Sequence, residues 1–146
     1  MLIYVCLSSH GFGHAARQAT VLCALHRLQP SWRLVVSSLV SPDFLQLACA
    51  AVPVEQRFVG WDVGMIQADA LGIDQGRTLE CLEVLDTALP DRLDQEAAWL
   101  AEQNTPILVV GDIPPAAANL AQRLGAPLVW MGNFGWDDIY EPLGGP

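Results

Sequence analysis

Lysine is absent from this chain of 146 residues, and its 7 basic side chains are all arginines, set against 16 acidic residues for a formal net charge of -9. A surface of that sign repels phosphate backbones and anionic lipid, so neither nucleic acid nor a membrane surface is an expected partner. Without lysine there is also no GxxxxGK[ST] loop of the kind that cradles nucleotide phosphates. No apolar run approaches the roughly 18 residues of a membrane span, and the first residues lack the basic segment and small-residue cleavage site of a secretory leader. Cys6, Cys23, Cys49 and Cys81 are far apart, with neither the close pairs of a zinc site nor the framework of a disulfide-rich domain. They are expected as buried free thiols in a reducing cytoplasm. No metal is expected.

What the chain does have is apolar content, 52% hydrophobic against 16% charged, enough for one compact domain. Leu2 to Ser8 is almost continuously apolar, which predicts a strand covered on both faces. From Ala15 to Leu28 apolar residues recur at three- and four-residue steps, predicting a helix that Pro30 stops. Strands follow at 32–38 and 54–59, with a short helix over Pro42 to Ala51 between them. Residues 60–74 carry Gly60, Gly64 and Gly72 and read as a long structured loop. A helix is predicted from Thr78 to Asn104, kinked or broken at Pro90. A strand over Ile107 to Gly111, a helix over Pro115 to Leu124 stopped by Gly125, and a strand over Leu128 to Met131 complete the pattern. Such alternation predicts an α/β fold, a parallel sheet with helices on both faces, whose ligands bind beyond the carboxyl ends of the strands.

His10-Gly11-Phe12-Gly13-His14 joins the first strand to the first helix. Glycines there let the backbone curl and a ligand approach it, and histidine is suited to moving protons near neutral pH. Gly11 to Ala16 also fits the GxGxxA form of the dinucleotide fingerprint, but the acid that should close the second strand is missing until Asp43. A metal set of His10, His14 and Asp112 lacks supporting ligand spacing. His26, at the end of its helix, reads as a structural cation. Asp112 has two readings. It caps the helix that follows Pro114-Pro115, or it holds an imidazole in one tautomer on the shared sheet edge. The segment Asn133-Phe134-Gly135-Trp136-Asp137-Asp138 suits sugar-ring stacking or plain packing.

Four blocks then arrive in a telling order: Ser9 to Arg17, Val63 to Leu71, Val110 to Ala116, and Asn133 to Tyr140. They resemble the N-terminal, glycosyltransferase-like half of plant L-arabinokinase and related bacterial proteins. More distantly, the Gly13-His14 turn is similar to that of GT-B glycosyltransferases. The resemblance implies a Rossmann-like domain over 1–141, the N-terminal half of a GT-B fold, with 142–146 as the start of an interdomain linker or the chain end. It implies an acceptor-binding domain of an inverting glycosyltransferase that uses a UDP-sugar or other nucleotide-sugar donor and no further cofactor. The residue matching His14 is then the general base, and the one matching Asp112 supports it. His10, Gly11, Phe12 and Gly13 shape the cleft, and Gln67, Asp69 and Asn133 bind a carbohydrate or glycoside acceptor. The donor-binding domain is expected in cis or in trans, leaving this half inactive alone. The alternative is a non-catalytic sugar-binding or interaction domain associated with a sugar kinase.

Overall fold

Every residue of strand β1 (Leu2–Leu7) is buried, which only a central strand covered on both faces achieves. In the computed structural model, which describes residues 1–50 and 52–141, β1 pairs in parallel with β2 (Arg33–Ser37) and with β4 (Ile107–Asp112). Outside these lie β3 (Val54–Arg57) and β5 (Leu128–Met131), giving the all-parallel order β3-β2-β1-β4-β5. The crossovers are α1 (Phe12–Leu28), α2 (Pro42–Ala48), α3 (Gln75–Ala101) and α4 (Ala116–Leu124), and a short α5 (Trp136–Tyr140) follows β5.

The pleat divides β1 between two core layers. Leu2, Tyr4 and Cys6 pack with Leu93 and Leu100 of α3 and Leu120 of α4, while Ile3, Val5 and Leu7 pack with Leu22 of α1 and Leu45 of α2. Truncating a buried leucine such as Leu22 to alanine costs about 2–5 kcal/mol. The first layer also buries Glu96, which accepts from the Tyr4 hydroxyl at 2.6 Å and from Arg57 Nε and Nη2 at 2.5 Å each. No helix among the described residues is long and apolar enough to cross a membrane.

Several boundaries differ from the sequence pattern, each for a local reason. Helix α1 begins at Phe12 rather than Ala15, because Gly11 at φ 82 makes the turn alone and releases Gly13 and His14 into the first helical turn. Pro90 does not break α3. Its position is exposed, and Leu85 and Leu93 anchor the helix on either side. Asp74 opens α3 three residues early by accepting from the Arg77 amide at 2.9 Å. Helix α2 ends at Ala48, and Ala51, its expected end, lies outside the described residues, as do 142–146. Asp112 is the last residue of β4, and α4 has Pro115 at its N-cap without a side-chain bond, so Asp112 does not cap that helix.

Candidate active site

Asp112 ends β4 opposite Leu7 of β1, which brings its carboxylate to the point where the chain leaves β1 for the glycine turn. The Ser8 hydroxyl accepts from the His10 amide at 3.2 Å and the Ser8 amide donates to the Asp112 carbonyl at 3.2 Å, tying turn and strand end together. Immediately afterwards Ile113 takes φ 82, an unusual conformation for a β-branched residue that swings the chain away toward α4.

The Asp112 side chain is wholly buried, and an isolated carboxylate there would be strongly unfavourable. Three side chains of α1 compensate it. His14 Nδ1 lies 3.1 Å from Oδ1, Arg17 Nη2 donates to the same oxygen, and Gln18 Nε2 donates to Oδ2 at 2.8 Å. These residues stand at positions i, i+3 and i+4, one face of a helix. A carboxylate only accepts, so a hydrogen bond from His14 to it places the hydrogen on Nδ1 and, in the neutral ring, the lone pair on Nε2; Arg17 Nη2, 3.2 Å from Nδ1, then faces that nitrogen without a bond to it. Among the described residues Nε2 has no hydrogen-bond partner, and it is not one of the buried atoms left without one, so it reaches solvent.

Aromatic rings frame this triad. Phe134 meets the His14 ring edge-on with centroids 5.8 Å apart, and Trp136 meets Phe134 and His10 in the same way at 5.5 Å. Trp136 stacks on Tyr140 at 5.2 Å and donates Nε1 to Asp62 Oδ2 at 2.7 Å. The Tyr140 hydroxyl donates to the Gly64 carbonyl at 3.5 Å, and burial, with the Asp62 charge, pushes its ionisation well above the ordinary range. Helix α5 therefore fastens the 60–74 loop beside the glycine turn. Gly64 is required there: its φ is +70, and any Cβ would run into the His10 ring.

The expected binding residues are distributed unevenly around this centre. His10 is exposed on its solvent side with its ring against Trp136, and Gly11 and Gly13 build the turn and first helical turn. Phe12, 60% exposed, pairs with Phe44 of α2 at 4.6 Å, away from Asp112. Gln67, Asp69 and Asn133 are exposed, and none hydrogen-bonds to His14 or Asp112. Asp69 Oδ1 accepts from the Leu71 and Gly72 amides at 2.8 and 2.7 Å, which holds its carboxyl below the usual range. Arg17 and Gln18 were not anticipated; their helical spacing from His14 was the available signal.

A cleft of about 740 Å³ opens between α4 and the segment after β5. Neither His14 nor Asp112 lines it, but Phe134, which touches His14, and Met131, whose Sδ receives Gln18 Nε2 at 3.2 Å, do. Trp130, Trp136, Asn119 and Asp138 are also in its wall, and no basic side chain is. Among the described residues no group of 3 or more His, Cys, Asp or Glu side chains is placed to hold a metal ion.

No protein-family model matches the chain. It is 34% identical over 138 residues to the L-arabinokinase of Arabidopsis thaliana, an alignment that covers 92% of this chain and 13% of that protein. The chain thus spans about an eighth of its relative. In structure it is similar to a UGT transferase from Siraitia grosvenorii solved in complex with UDP, with a TM-score of 0.56 and 16% sequence identity, over 90% of this chain and 28% of the other.

Proposed function

We propose that this chain, a GT-B-like domain homologous to part of L-arabinokinase, is the acceptor-binding domain of an inverting glycosyltransferase that uses a nucleotide-sugar donor. The observation that carries this reading is the contact of buried Asp112 with Nδ1 of His14, which leaves Nε2 open to solvent at the carboxyl edge of the sheet. An acceptor hydroxyl hydrogen-bonded to Nε2 gives up its proton as its oxygen attacks the anomeric carbon from the face opposite the nucleotide. The nucleotide leaves with the bonding pair, the configuration inverts, and Asp112 offsets the charge on the ring.

The acceptor lies in the cleft beside Phe134, where aromatic faces and the polar groups of Asn119 and Asp138 suit a neutral carbohydrate or glycoside. Gln67, Asp69 and Asn133 supply rim hydrogen bonds, and His10 to Gly13 shape the near wall. The donor belongs to a second domain in cis or in trans, since the wall of the cleft holds no basic side chain to grip a diphosphate. Free thiols fit a cytoplasmic setting. The homology to L-arabinokinase favours a second reading, a non-catalytic sugar-binding domain beside a sugar kinase, which uses the same cleft without the base.

Calorimetric titration of the chain with a panel of neutral saccharides and with UDP-sugars tests the assignment. Saturable heat with a saccharide, lost in Trp130→Ala, and no saturable heat with micromolar UDP-sugar are expected. Tight UDP-sugar binding overturns the division of labour between domains.

A further inference from the structure

The buried carboxylate beside His14 also holds a cation. Arg17 Nη2 donates to the same Asp112 oxygen that faces His14 and lies 3.2 Å from Nδ1 of the ring. Given the reading of His14 as the base, on which this rests, we propose that Arg17 is a positioning residue that neutralises Asp112 and keeps the His14 ring neutral, with Nε2 unprotonated, until an acceptor arrives.

A carboxylate alone beside an imidazole favours the imidazolium, and a base already protonated at neutral pH accepts nothing. Among the described residues the groups around His14 are few. From β4 comes Asp112, from α1 Arg17 and the uncharged Gln18, and from the segment after β5 the uncharged Phe134 ring; His10 in the turn is engaged with Trp136. Asp112 and Arg17 therefore act on the ring with opposite sign, and an imidazolium would form 3.2 Å from a guanidinium. Like charge at that range disfavours it. The arginine is held at its head by Asp112, while its buried Nε has no partner and its side chain is 35% exposed. Its place is thus set by the carboxylate rather than by a network of its own.

The test is a proton NMR titration of the imidazoles of the chain, with the His14 signal assigned by its loss in His14→Gln. Arg17→Met keeps the packing of the stem and drops the charge, Arg17→Gln drops it with a polar head, and Arg17→Lys retains it. The His14 midpoint is expected to rise by about 1 pH unit in the two neutral variants and to stay near the wild-type value in Arg17→Lys. An arginine that merely packs would leave the midpoint unmoved in all three. The proposal is overturned by a midpoint that stays or falls in whichever neutral variant folds, or by one that rises as much in Arg17→Lys as in the neutral variants. If the midpoints move as expected while His14→Ala still transfers sugar at full rate, the base assignment fails and the electrostatic role of Arg17 stands.

Discussion

Asp112→Asn replaces a group that only accepts with one that both donates and accepts at almost the same shape. In the wild type both oxygens are occupied, Oδ1 by His14 and Arg17 and Oδ2 by Gln18, in a side chain with no exposure. If the new oxygen stays with His14 and Arg17, the new nitrogen meets the Gln18 donor. If the amide turns over, its nitrogen meets Arg17 instead. Gln18 can turn its own amide to accept, but its NH2 then points where Oε1 points now, and Oε1 has no partner there. One buried donor is stranded in each arrangement, at about 1–3 kcal/mol, and the bond from Arg17 loses its charge assistance, about 1 kcal/mol more. Arg17 is 35% exposed and can turn its head to water, so the roughly 3–5 kcal/mol of a stranded buried charge is not reached. A loss of about 2–3 kcal/mol is expected, read as a lower urea midpoint at unchanged slope by tryptophan fluorescence. A loss below about 0.5 kcal/mol, ordinary for a surface change, refutes the reasoning.

Gly64→Ala forces an alanine to φ +70 against the His10 ring, so a loss of about 1–2 kcal/mol is expected, with amide shifts concentrated in 8–14 and 60–74; unshifted spectra refute the contact. Burial pushes the Cys49 thiol up to about 11, with Cys23 adding to it, and pushes Cys6 higher still, so iodoacetamide near pH 8 should label half-buried Cys23 and Cys81 first by peptide mass spectrometry. Early labelling of Cys6 contradicts this. The same shifts fix a pH dependence: above the ordinary thiol value of 9.0 the unfolded chain releases protons that folded Cys6 and Cys49 retain, so stability falls as pH rises through that value. The thermal midpoint should decline from about pH 8 to about pH 10.5, and a midpoint that rises there contradicts the sign.

The sheet was legible because its signal is local. Leu2 to Leu7 is apolar without a break, and helical spacing separates it from the apolar Arg33–Ser37 and Ile107–Asp112 segments. Helix α5 escaped notice because 5 residues rich in aromatics show no periodicity; packing of Trp136 and Tyr140 against the 60–74 loop makes it a helix. The candidate site was legible in part. His14 and Asp112 stood out by residue type at two strand ends, and the parallel register then made their meeting geometric. Arg17 and Gln18 did not stand out, since a carboxylate 95 and 94 residues away is what gives their helical face a meaning.

On the proposed reading, sugar transfer by the domain together with a donor-binding domain, compared between the wild type and His14→Ala, bears most directly on whether this histidine is a base. Turnover is expected to fall by roughly 10²- to 10⁴-fold, the usual contribution of a positioned base, with the far-UV spectrum unchanged. Full turnover in a folded alanine variant contradicts the assignment.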